Sequence, residues 1–139
     1  MKKTLAILLA FILLSLSLAA CSGAPKINKE TWSLATVTEN ETLVYVASKY
    51  ASAAPSVPQL DCTLTAKRGS LTITENETDK TYTGTYTDAD DMETATDYRI
   101  TVGKAKGQAL VAYSEDTDGN PITTLTLYIK DYVILFVAD

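Results

Sequence analysis

The sequence contains no histidine, and only 2 cysteines, 6 glycines, 4 prolines and 1 tryptophan among its 139 residues. Each shortage closes a door. Without histidine, the commonest general base and the partner that activates a catalytic thiol are both absent. One or two cysteines and no imidazole cannot assemble a structural zinc site. The few glycines are scattered, and none forms a phosphate-cradling loop. Basic residues are also scarce, with 12 Lys and Arg against 17 Asp and Glu. Such a surface does not attract phosphate backbones, so no nucleic-acid partner is expected. At this length there is room for one domain.

Both cysteines have readable positions. Lys2 and Lys3 make a basic start, and Leu5 to Leu18 is apolar apart from two serines. Small residues then lead to Cys21, which is the layout of an export signal and too short for an ordinary spanning helix. Leu18-Ala19-Ala20-Cys21 resembles the lipobox of bacterial lipoproteins. That resemblance implies that residues 1–20 are a removed signal peptide and that Cys21 carries a diacylglycerol anchor. The expected location is the extracytoplasmic face of the cell membrane, with the bilayer contacted through the lipid. Removal of residues 1–20 leaves 10 basic and 17 acidic side chains, so anionic headgroups would repel the mature surface. Cys62 then lacks an intramolecular partner, and its alternation with Thr63 and Thr65 suggests a small, inert strand residue facing inward.

Residues 21–29 show no periodicity and read as a lipidated tether reaching roughly 30 Å when extended. From Glu30 to Asp139 the chain is rich in strand formers, and threonine supplies 20 of the 119 residues from Cys21 onward. Alternation in "TYTGTYT" sets Tyr82, Gly84 and Tyr86 opposite Thr81, Thr83, Thr85 and Thr87. Tyr98, Ile100 and Val102 likewise oppose Asp97, Arg99 and Thr101. This is the period-2 pattern of a sheet with one wet face.

The turn signals divide the domain into nine candidate strands: Thr31–Thr38, Thr42–Ala47, Asp61–Ala66, Ser70–Thr74, Lys80–Thr87, Asp97–Val102, Gln108–Ser114, Ile122–Lys130 and Tyr132–Ala138. The last two could form one bent strand or a very tight hairpin about Asp131. "KRGS", "GKAKG" and "DTDGNP" read as hairpin connections. Between the second and third candidates, Ala47–Gln59 carries Pro55 and Pro58, which suit a short helix over Ser48–Ala54 and then an extended connection. Such a segment could lie across a barrel mouth. "TENET" occurs twice, at Thr38–Thr42 and Thr74–Thr78, and reads as two acidic turns.

The fold class expected is therefore all-β: an antiparallel up-and-down meander of about eight strands closing into a barrel. Trp32 in "ETWSLATV" resembles the tryptophan that plugs the closed end of lipocalin-like domains. The chain is also similar to small lipoproteins of Gram-positive bacteria that carry such a domain, through "TW-x-L", "TLTA…GSLTIT" and "KTYTGTY". The resemblance implies a small apolar or amphipathic ligand, and the inward-facing Tyr82, Tyr86, Tyr98 and Tyr113, together with Trp32, are the residues expected to hold it. The alternative is a packed barrel that serves another envelope protein.

No catalysis and no cofactor are expected. Asp88, Asp90, Asp91, Glu93 and Asp97 fall in one acidic stretch, read as a solvated connecting loop rather than as paired carboxylates across a cleft. "SEDTDGNP" superficially resembles a calcium loop, but the final bidentate glutamate position is Leu125.

Overall fold

A computed structural model describes residues 23–139, apart from the side chain of Ala89. The expected signal peptide 1–20, the expected lipidation site Cys21 and Ser22 lie outside the described residues. Nine strands follow one another: β1 Trp32–Glu39, β2 Thr42–Val46, β3 Cys62–Lys67, β4 Ser70–Glu75, β5 Thr81–Asp91, β6 Ala95–Val102, β7 Ala105–Glu115, β8 Pro121–Ile129 and β9 Tyr132–Ala138. Short 3-10 turns occupy Ile27–Lys29 and Ser48–Ala53.

Every strand pairing is antiparallel, and β9 returns to pair with β1 from Trp32↔Ala138 to Glu39↔Tyr132. That contact closes an eight-stranded barrel, β1-β3-β4-β5-β6-β7-β8-β9. β9 occupies one edge of β1 along its length, so β2 and β3 divide the other. Trp32 and Ser33 pair with Leu64 and Thr63 of β3, while Thr36–Glu39 pair with β2. β2 is thus a ninth strand inserted at the seam. The segment after it is tied there too: Val46 N–H donates to Pro58 O, Leu60 N–H to Val46 O, and Ser48 N–H to the Asp61 carboxylate.

The turns explain the meander. Asn40–Glu41 and Arg68–Gly69 both place two residues at positive φ, the type I′ pattern whose twist matches adjoining strands. β8 and β9 form a tight hairpin about Lys130–Asp131, with Ile129 opposite Tyr132, which decides between the two expected forms. The second TENET folds differently from the first. Asp79 N–H bonds Glu75 O and Glu75 N–H bonds Lys80 O, giving a longer loop before β5.

The strands on the acidic side are longer than the sequence pattern suggests. The expected loop over Asp88–Asp97 is mostly ladder: Asp88 pairs with Tyr98, Asp90 with Asp97 and Asp91 with Thr96. A bulge between Asp88 and Asp90 lets β5 bend and continue. Similarly, β7 starts at Ala105, so only Gly103–Lys104 turn and Gly107 lies inside the strand.

Inward-facing side chains fill the barrel by setting large beside small. Tyr98 is opposite Ala109, Ile100 opposite Gly107, and Leu71 opposite Gly84. Trp32, Leu64, Val111, Leu125 and Leu127 are fully buried at 0% exposure, with Phe136 beside them at 1%. At Gly84 and Gly107 the neighbouring strands come so close that an added Cβ would sit 2.2 Å from Thr101 O or Tyr128 O. These two glycines let the wall curve sharply. The barrel has two distinct ends. The floor carries the starts of β1, β6 and β8, and the far rim carries both TENET turns and the β8–β9 hairpin.

Candidate functional site

Two places concentrate aromatic residues, and between them they hold those that the sequence singled out. The first is the floor. Here the chain entering from Gly23 is fastened to the barrel, although the pattern "CSGAPKINK" reads as a loose tether. Tyr113 OH donates to Gly23 O at 3.1 Å, and Thr96 Oγ1 to Pro25 O at 2.7 Å. Lys26 Nζ pairs with Asp91 at 2.7 Å. Ile27 is fully buried; its N–H donates to Tyr98 OH at 3.1 Å and its carbonyl accepts from Trp32 Nε1 at 2.9 Å. Burying one such aliphatic side chain stabilises by about 2 kcal/mol. The polar contacts add to this because they satisfy groups that have left water.

Electrostatics fit the geometry. The hydrogen bond to Asp91 raises the Lys26 ammonium above its ordinary pKa. Burial, above all, raises the Tyr98 phenol and keeps it neutral beneath Ile27. Tyr86 meets the Tyr98 ring edge-on, with centroids 5.6 Å apart and planes at 83°. Trp32, Tyr86 and Tyr98 are thus one packed group, and Tyr113 stands near the floor beside Gly23. Tyr82 is separate. It faces inward opposite Ile73 but at the far rim, where it is 37% exposed.

The rim is the second place. Tyr45, Tyr82, Tyr128 and Tyr132 are four of the five exposed large apolar residues among those described, and all lie toward this end. Two of them hold glutamates from the two TENET turns. Tyr82 OH donates to Glu75 at 3.0 Å, and Thr78 Oγ1 donates to the other oxygen at 2.8 Å. Thr78, then Tyr82, hold the Glu75 carboxyl below its usual range. Lys80 Nζ lies 5.0 Å from the Tyr82 ring centre. Across the opening, the Tyr132 phenol bonds the Glu39 carboxylate, which raises its pKa. Val44, Leu60, Val102, Ala105 and Ile134 are half-buried against the core. By register and chain position, they lie toward this end.

Other candidates have local explanations. Cys62 is a buried free cysteine, and burial, aided by Glu75 and Asp61, raises its thiol to about 11. A thiol so raised is a poor nucleophile near neutrality. In "SEDTDGNP", Asp116 accepts from the backbone N–H groups of Asp118 and Asn120 and from the Asn120 side chain. The carboxylate thereby caps its own turn. Among the described residues, no three acidic or cysteine side chains gather as a metal would need.

Comparison with protein-family models, curated proteins and solved structures finds no match to this chain. The residue pattern missed Ile27, Thr96 and the rim pair Tyr45 and Tyr132. Only Ile27 gave a signal, as the one large aliphatic residue in the segment from Cys21 to Lys29.

Proposed function

We propose that this chain is a non-catalytic lipoprotein, anchored through Cys21 on the extracytoplasmic face of the membrane, whose packed lipocalin-like barrel presents its rim to another envelope protein. One observation carries this reading. Trp32, Tyr98 and Tyr113 are engaged in clasping the N-terminal segment, while the exposed tyrosines gather at the opposite end. Tyrosine is favoured at protein interfaces because it buries a large rigid face and keeps a polar tip. Neighbouring Glu39 and Glu75 suit a partner surface bearing arginine or lysine.

Photo-crosslinking in the native host tests this. A photoreactive amino acid replacing Tyr45 or Tyr132 should give a discrete protein adduct, and one replacing Thr85 on the barrel wall should not. Absence of a rim-specific adduct would overturn the reading.

A second reading is supported by the half-buried group Val44, Leu60, Val102, Ala105 and Ile134. A small apolar or amphipathic ligand could rest on it, with Tyr82 and Tyr86 at its side and the Tyr98 ring beneath Tyr86. Native mass spectrometry of protein extracted from its own membrane distinguishes the two. A discrete added mass removed by organic solvent indicates a ligand, and a clean protein mass favours the interaction module.

A further inference from the structure

The clasped floor bears on how the barrel sits on its membrane. We infer that the floor is a lipid-facing surface, seated directly on the headgroup layer with the rim pointing away; this rests on the proposed anchoring of Cys21. The short reach of the N-terminal segment sets this position. Gly23 is tied to Tyr113, Pro25 to Thr96, Lys26 to Asp91, and Ile27 to Tyr98 and Trp32. These contacts engage β1, β5, β6 and β7, so the segment cannot swing as a free tether. Only Ser22 separates Cys21 from Gly23, and two Cα-to-Cα steps span at most about 7 Å. Acyl chains on Cys21 must therefore enter the bilayer beside Gly23.

The adjoining surface suits that position. An open cleft of about 400 Å³ lies next to Gly23, bordered by Pro25, Lys26, Lys29, Glu30, Tyr113 and Thr123. Lys29 is exposed there, and Lys26 is one-third exposed despite its ion pair. The Lys29 ammonium, beside the Glu30 carboxylate, provides a donor for a phosphate, and Tyr113, whose hydroxyl already donates to Gly23 O, an amphipathic ring for the interfacial layer. The rim is far away. Eleven residues of β7, rising ~3.3 Å each and tilted about 40°, set it roughly 28 Å above the floor.

The test uses the lipidated protein in phosphatidylcholine vesicles containing a lipid with a nitroxide on its headgroup. A fluorescent amino acid replaces either Asn28 at the floor or Lys104 at the rim. The floor probe should be quenched several-fold more than the rim probe. A flexible Gly/Ser insert between Ser22 and Gly23 should bring floor quenching down toward the rim value. Equal quenching of the two probes, stronger quenching at Lys104, or no effect of the insert would overturn the seat. Failure of the anchoring reading would look different, as a mature chain whose mass lacks acyl groups. In that case the Cys21 thiol is coupled to a maleimide-headgroup lipid, since Cys62 is buried, and the same two probes decide the seating.

Discussion

Cys62 and the two wall glycines show how single side chains answer to the barrel interior. The Cys62 thiol titrates near 9 in the unfolded chain and near 11 when buried. A raised pKa means that the folded state keeps its proton after the unfolded chain has lost it. Stability from this group is therefore complete below pH 9 and is lost as pH rises through about 11, by at most about 2–3 kcal/mol. Denaturant titrations of the wild type and Cys62→Ala should show a stability difference that narrows across this window. Alkylation at pH 8 should be slow in the native protein and fast in denaturant. Gly84→Ala and Gly107→Ala should each destabilise by about 3 kcal/mol, because a Cβ would collide with a backbone oxygen that cannot step aside. Gly119→Ala is the comparison: no atom lies within 4 Å of its added Cβ, and only a positive φ opposes it. Chemical denaturation of the three variants ranks them.

Among the elements, the Gly23–Lys29 segment behaves as part of the fold. Ile27→Ala should cost about 3 kcal/mol, from lost burial together with the cavity left between Trp32 and Tyr98. Tyr98→Phe should cost about 1–2 kcal/mol, since it removes the partner of a buried N–H while keeping the ring contact with Tyr86. Thermal melts of both variants check these values. Element identity was largely legible from alternation and turn residues, and the boundaries of β9 fall where the pattern puts them. The misses have physical causes. Aspartate disfavours strands, yet Asp88–Asp91 are held in register by β6, a bulge and the Lys26 ion pair, all tertiary effects. The clasp is equally non-local, since its partners are 71 residues apart at Tyr98 and Thr96. No local pattern in "CSGAPKINK" records that.

For the whole molecule, the closed barrel was readable as a class, while the insertion of β2 at the seam and the division of its aromatics between floor and rim depend on long-range register. The seam between β1 and β3 holds only two residue pairs, against nine between β7 and β8. Hydrogen exchange should reveal this difference, with the Thr63 and Leu64 amides exchanging sooner than those at the centre of β7. The β1–β9 ladder has another consequence, in time rather than space. Trp32 meets Ala138 and Glu39 meets Tyr132, so one whole edge of the first strand finds its neighbour only when β9 has been made. A chain synthesised from its N-terminus cannot close this barrel early. Nearly all of the barrel sequence must be free before the ring can form, which defers closure until β9 has emerged and leaves the earlier strands to wait as an open sheet.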